Sequence, residues 1–302
     1  MTEPILMIGT GALACLFAGR LSRSGFPVVM TGSWKTGLEA LRKQGVMLIE
    51  GKEKSVFPVE VLDITETSRF FPRALLLTKA YQTFEALKRV QPFLPEDGTV
   101  LSLQNGLTAR SLMVEVIGES RAISGITTCA AELVEPGIVN FHGGSSIFLG
   151  SHPAAAWYRD VFQAAGFSVS TTSAIQKMIW EKAIINSAAN PVGALLRMKN
   201  GEMSCSQEVG YLLDDLINEA CQVANLEGCD INPAEISIRL QTILRESSAN
   251  RCSMLQDVLH GRDTEIEEIN GAIVSLAKKH GIDVPVQRTI TRLVRSINSE
   301  VD

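Results

Sequence analysis

An α/β domain followed by an all-α domain is the fold class this 302-residue sequence predicts. Three observations carry the prediction. Apolar runs of strand length alternate with helical patterns as far as residue 172. A glycine-rich turn joins the first run to the first helix near the N-terminus. From Ser173 onward no strand pattern recurs, and long helical patterns follow.

Pro4–Ile8 is a short apolar run leading into Gly9-Thr10-Gly11-Ala12-Leu13-Ala14, a G-x-G-x-x-A turn. A helical pattern through Leu16, Phe17 and Leu21 follows, then the strand Val28–Met30. Strand, glycine turn, helix and strand in this order form the dinucleotide fingerprint. Gly9 permits the tight turn, Gly11 lets backbone approach a pyrophosphate, and Ala14 lets the helix pack close. The helix N-terminus then offers its N–H groups to phosphate. A glycine turn in some other α/β protein is the alternative. The fold class is therefore an α/β Rossmann-type nucleotide-binding domain followed by an all-α C-terminal domain, divided as 1–172 and 173–302.

After the second strand an NAD-type site places a carboxylate. Here the chain reads Met30-Thr31-Gly32-Ser33-Trp34-Lys35, with no carboxylate before Glu39. Thr31, Ser33 and Lys35 suit a 2′-phosphate, so NADP is expected over NAD. Lys35 at a solvated helix start is the plain alternative. A helix over Lys35–Lys43 and strands over Val46–Ile49 and Val56–Leu62 follow. The apolar run Ala74–Thr78 reads as a central parallel strand and ends at Lys79. Thr83–Val90 reads as a helix, and Thr99–Leu103 as a strand ending at Gln104-Asn105-Gly106. Lys79 and Asn105 thus follow strand ends, where ligands of open parallel sheets bind. Each has a plainer reading, as a solvated helix start and as an Asn-Gly turn. Ala122–Thr128 is another strand. Ala130–Val134, Ile138–His142 and Ser146–Gly150 read as a meander extending one sheet edge. Ala154–Ala165 is helical, and Phe167–Ser170 is the last strand. Helical patterns then cover 173–190, 205–227, 233–246, 251–279 and 286–298. Pro191, Pro233 and Pro285 punctuate them.

Composition narrows the function. A hydrophobic share of 45% and a net charge of −5 describe an ordinary globular chain and disfavour a nucleic-acid or anionic-membrane surface. No apolar run approaches the roughly 18 residues of a membrane span, and the N-terminus lacks a basic signal flank. Cys15, Cys129, Cys205, Cys221, Cys229 and Cys252 form no CxxC framework, so a reduced, cytoplasmic setting is expected. The four histidines (142, 152, 260 and 280) have no metal-ligand spacing, so no metal is expected. The helical half leaves a homodimer open, although no heptad seam stands out.

In Trp180–Pro191, Lys182, Asn186 and Asn190 recur every four residues. Each step drifts about 40° around a helix, so the three share one stripe. Ile184, Ile185, Ala188 and Ala189 surround it. Polar groups in such company need partners. These are either other protein groups, in an interhelical capping network, or a substrate.

These motifs together resemble the ketopantoate reductase (2-dehydropantoate 2-reductase) family over nearly the full length. The marks are the Gly9–Ala14 turn, Thr78–Thr83, Gln104-Asn105-Gly106, Gly125–Thr128, Trp180-Glu181-Lys182 with Asn186 and Asn190, Ser253–Asp257, Thr264-Glu265-Ile266 and Ile269-Asn270-Gly271. The resemblance implies NADPH-dependent reduction of 2-dehydropantoate to (R)-pantoate, for pantothenate and coenzyme A synthesis. It implies NADP contacts by Gly9, Thr10, Gly11, Ala12, Leu13, Ala14, Lys79, Asn105, Ala130 and Glu265. It makes Lys182 the general acid and gives Asn186, Asn190, Asn200 and Ser253 to the substrate. Asn200 is expected in a loop after the helix. A helix N-cap is the plain reading of Ser253, and an exposed helix face that of Glu265. The residue types suit the chemistry. An ammonium can stabilise a developing alkoxide and protonate it, whereas amides position a small-molecule 2-keto acid without adding charge. Two departures stand out: Cys129 where many relatives carry His, and no arginine after the second strand. A reductase of another branched 2-keto acid or imine, and a non-catalytic nucleotide sensor, are the competing readings. The lysine and amides disfavour the sensor.

Overall fold

The computed structural model describes residues 3–298. The chain divides into two compact units, Met1–Gln104 with Ala109–Ile175, and Asn105–Thr108 with Gln176–Asp302.

In the first unit the elements run β1 (Ile5–Ile8), α1 (Ala12–Arg23), β2 (Val28–Thr31), α2 (Lys35–Gln44), β3 (Val46–Glu50), β4 (Glu53–Phe57), β5 (Glu60–Val61), β6 (Arg73–Leu76), α3 (Thr83–Val90), β7 (Thr99–Ser102), α4 (Ala109–Ile117), β8 (Ala122–Thr127), β9 (Ala130–Glu135), β10 (Ile138–Gly143), β11 (Ser146–Gly150), α5 (Ala155–Ala164) and β12 (Ser168–Thr172). Eight strands form the main sheet in the order β12-β11-β8-β7-β6-β1-β2-β5. All neighbours are parallel except β8 and β11. β1 is wholly buried because sheet lies on both sides of it and helices cover its faces.

The expected meander is corrected. Only β11 joins the main sheet; β9 and β10 pair with β3 and β4 in a second, four-stranded sheet. The reason lies in α1, which is buried from Ala14 to Leu21 and therefore needs apolar cover on more than one side. Val46, Leu48 and Phe57 of the second sheet meet it at Gly19, where an added Cβ would lie 3.3 Å from Val46 Cγ1. An arginine fork ties α1 to this sheet: Arg20 and Arg23 both donate to the Glu50 carboxylate at 2.6 Å. The expected single strand Val56–Leu62 is also two strands, separated at Pro58, which has no N–H for a ladder.

The second unit is helical: α6 (Ile175–Leu196), α7 (Asn200–Cys205), α8 (Gln207–Leu226), α9 (Pro233–Glu246), α10 (Ser253–Leu259), a π-helical turn over Glu267–Gly271, α11 (Ala272–Lys279) and α12 (Pro285–Asn298). Its core gathers Ile184, Ala188, Val192, Leu213, Leu216 and Ile273. Pro233 and Pro285 open α9 and α12, as Pro at a helix start should. Pro191 does not end its helix, as expected from sequence, but lies inside α6. The helix continues because its apolar residues on both sides of Pro191 are buried in this core. The expected 205–227 helix is α8, which starts two residues later because the Ser206 hydroxyl accepts from Val209 N and caps it; the short α7 before it was not expected. The 251–279 pattern is likewise interrupted, by the polar stretch Gly261-Arg262-Asp263 and by the π turn. Among the described residues no helix is long and apolar enough to cross a membrane.

Candidate active site

The first unit carries the glycine turn between β1 and α1. Gly9 has φ +129°, and an added Cβ would sit 2.8 Å from the Leu77 carbonyl carbon and oxygen, so only glycine fits there. Gly11 is the opposite case: nothing lies within 4 Å of the position a Cβ would take. Gly11 also precedes α1 with no side-chain cap, and the first turn of α1 carries no acidic residue. The helix start therefore presents N–H groups and open space, which fits a pyrophosphate. Ala14 is fully buried in the core behind it. Thr10 is buried, and its methyl and hydroxyl lie under Gly32. Ala12 and Leu13 are half-buried on the first turn.

A pocket at the ends of β1, β2 and β6 is lined by Thr31, Gly32, Ser33, Thr78 and Tyr81, with Glu85 and Arg89 one turn apart on α3. Ser33 and Lys35 are exposed, and Lys35 is the first residue of α2. No arginine follows β2, and α3 supplies Arg89 to the same pocket. Its nearest carboxylate oxygen is Asp63 Oδ1 at 4.0 Å. Only the packing of α3 beside β6 places it there; position 89 carries no local signal.

Lys79 is half-buried in the turn after β6. That turn is held by Gln104, whose contacts no local pattern announces. Gln104 Nε2 reaches the Thr78 carbonyl and Thr83 Oγ1, each at 2.9 Å, and Oε1 accepts from Ser102 Oγ at 3.0 Å. The carboxamide thereby splices the ends of β6 and β7 to the start of α3. Gln104→Ala is expected to cost about 1–3 kcal/mol of unfolding free energy. The check is a lower urea midpoint with unchanged slope. Ala130 is exposed at the start of β9, and Cys129 before it is buried with its N–H on Thr127 Oγ1 at 3.1 Å.

The second unit holds the remaining residues. Asn105 follows the end of β7, as expected, and the loop Asn105–Thr108 groups with the helices. The loop is fastened to the π-turn segment: Leu107 N donates to the Glu268 carbonyl at 3.1 Å. Gly106, at φ +90°, lets that carbonyl approach to 2.7 Å from where a Cβ would be. Glu265, expected on an open helix face under its plain reading, is buried at 7% exposure. Glu268 is partly buried, and its Oε2 has no hydrogen-bond partner among the described residues. Burial, followed by the nearby Glu265 and Glu267, pushes its carboxyl above the usual range.

On α6, Lys182 and Asn186 are half-buried and Asn190 is buried, so the stripe faces neither open water nor a fully dry core. Ser253 is not the N-cap of α10. Cys252 is, with its sulfur accepting from Leu255 N, and Ser253 is the exposed first residue of the helix. Burial pushes the Cys252 thiol up to about 11, so the S–H persists at neutral pH and donates to the Asn190 carbonyl at 3.4 Å. The same cysteine thus links the stripe to the helix start that displays Ser253. Asn200 is not in a loop but begins α7. Its Nδ2 donates to Ser247 Oγ at 2.7 Å, and its N–H to the Asn250 carbonyl at 3.0 Å. Position 201 allows this close docking because glycine leaves room for Ser248.

A Rossmann-type unit with an open glycine turn, joined to a helical unit carrying a lysine–amide stripe, defines a two-domain oxidoreductase. Residues 5–154 match the family described as ketopantoate reductase PanE/ApbA, and residues 174–298 match its C-terminal counterpart. The chain belongs to the ketopantoate reductase family. A 2-dehydropantoate 2-reductase of Pyrococcus horikoshii is 33% identical, covering 98% of this chain and 97% of that protein. The crystal structure of a PanE/ApbA family ketopantoate reductase from Ralstonia eutropha JMP134 has a TM-score of 0.91 and 25% identity, covering 98% of both chains. A ternary structure of D-mandelate dehydrogenase with NADH and anilino(oxo)acetate has a TM-score of 0.93 over 98% of both chains. Its 24% identity makes that likeness one of fold alone.

Proposed function

We propose that this protein reduces 2-dehydropantoate to (R)-pantoate with NADPH. The observation that carries the proposal is the α6 stripe of Lys182, Asn186 and Asn190, set between water and core, in a chain 33% identical along its length to a 2-dehydropantoate 2-reductase. The nucleotide, when bound, supplies the hydride. Gly9–Ala14 receive its pyrophosphate at the start of α1, and Lys79, Asn105, Ala130 and Glu265 are the further residues proposed to hold it. Thr31, Ser33, Lys35 and Arg89 favour a 2′-phosphate, since the end of β2 has no carboxylate to take ribose hydroxyls.

Lys182 donates a hydrogen bond to the ketone oxygen. As negative charge builds there, the ammonium stabilises it and then yields the proton. Asn186 and Asn190 fix the hydroxyl and carboxylate of the substrate by neutral hydrogen bonds. Asn200 and Ser253 are the remaining proposed substrate contacts. For Asn200, this means that one amide hydrogen stays on Ser247 while the rest of the amide turns to substrate.

The test is nicotinamide oxidation with NADPH and with NADH, against 2-dehydropantoate and a panel of branched and aryl 2-keto acids. The expected result is the highest kcat/KM for 2-dehydropantoate with NADPH. Faster turnover of an aryl 2-keto acid with NADH overturns both the substrate and the cofactor assignment.

A further inference from the structure

Pro191 creates a problem inside α6 that another helix solves. Proline has no N–H, so it cannot bond the carbonyl four residues back, which is that of Ser187. Ser187 is fully buried, and water cannot serve that oxygen. Asn270 reaches it instead, with Nδ2 2.7 Å from the Ser187 carbonyl oxygen. The second Nδ2 hydrogen goes to Gln287 Oε1 at 2.8 Å. Gln287 Nε2 in turn lies 2.9 Å from the Leu216 carbonyl and 3.3 Å from Ser187 Oγ.

This network sets the orientation of the amide. Turned over, Asn270 would present its oxygen to two other oxygens. As placed, its Oδ1 is buried with no partner among the described residues. The side chain leaves one of its own polar atoms unserved while its donors serve Ser187 and Gln287. The backbone around it is also unusual. Gly271 N bonds the Ile266 carbonyl five residues back at 2.9 Å, so the chain passes through a π turn at this point. Such a turn inserts one residue into the helical register and changes which side chain faces α6.

We propose that Asn270 is a positioning residue: its side-chain amide stands in for the backbone N–H missing at Pro191 and so aims the Lys182–Asn186–Asn190 stripe. Ser187 follows Asn186 directly, and Pro191 follows Asn190. The two amides of the stripe therefore sit on the segment whose hydrogen bonding Pro191 interrupts. That segment is held at two carbonyls, Ser187 by Asn270 and Asn190 by the Cys252 thiol. The inference rests on the functional reading above, because it assigns the stripe to substrate and proton.

The experiment is a double-variant cycle. Asn270→Ala removes the substitute donor, and Pro191→Ala returns a backbone N–H to the same oxygen. N270A is expected to lower kcat at least roughly tenfold through misplacement of the stripe, with the dissociation constant for NADPH unchanged, and to lower Tm. Adding P191A is expected to restore most of both losses, beyond the sum of the single effects. If N270A alone does not accumulate folded, a folded double variant supports the assignment, and an equally unfolded one overturns it. Recovery of Tm without recovery of kcat, or no recovery of either, also overturns it. The stability arm needs no substrate. A wild type that turns over no 2-keto acid therefore defeats the functional reading, while the Tm cycle still decides the link between Asn270 and Pro191.

Discussion

Lys182→Ala is expected to lower kcat for 2-keto acid reduction by roughly 100-fold or more while NADPH binding is retained. Lys182 is half-buried on α6, eight residues before the buried Asn190 on the same stripe. Alanine keeps the helix, since it is the best helix former. The loss is therefore chemical rather than conformational. Without the ammonium, the developing alkoxide loses both a nearby positive charge and a positioned proton, and only solvent remains as donor. Lys182→Arg separates the two contributions: guanidinium keeps the charge but does not release a proton near neutral pH. Its kcat should fall between those of the wild type and the alanine variant. The checks are steady-state kinetics and a fluorescence titration with NADPH. An unchanged kcat in K182A would remove Lys182 from the mechanism.

The second large effect is at Gly11. Gly11→Val is expected to weaken NADPH binding by roughly 100-fold or more while Tm stays near that of the wild type. The two parts of this expectation come from one observation. A Cβ at position 11 meets no protein atom within 4 Å, so the isopropyl group is accommodated in the protein alone. The space it fills lies at the uncapped start of α1, where a pyrophosphate would have to sit. Gly9 provides the contrast. With φ +129° and backbone 2.8 Å from the would-be Cβ, Gly9→Ala should damage the fold itself. Isothermal titration and thermal unfolding of both variants read the difference. If G11V binds NADPH as well as the wild type does, the glycine turn is not a pyrophosphate site.

Much of the first unit was legible in local pattern. Leu6 to Ile8, Ala74 to Leu77 and Val100 to Leu101 are runs buried on both faces, and apolar runs of that length between turns have few other homes. The fate of β9 and β10 was not legible, because period-two alternation says that one face is covered but not by what. Here the cover is α1, a helix distant in sequence. In the helical unit, patterns with a 3.6-residue period ran through interruptions that tertiary contacts sustain. The π turn at Glu267–Gly271 leaves the apolar pattern nearly intact, and α6 runs through Pro191 with core burial on both sides and with Asn270, 79 positions later, donating to the Ser187 carbonyl.

The residues proposed for the site divide in the same way. Gly9, Gly11, Ala14 and the Lys182–Asn186–Asn190 spacing were determined by sequence alone, because glycine geometry and helical periodicity act over a few neighbouring residues. The tertiary structure alone brought Arg89 to the β2 pocket, Gln104 onto Thr78, Cys252 to the Asn190 carbonyl and Asn270 to that of Ser187. Each of these depends on where a side chain from elsewhere in the chain comes to rest. That is set by packing of whole helices and strands, and no local pattern encodes it.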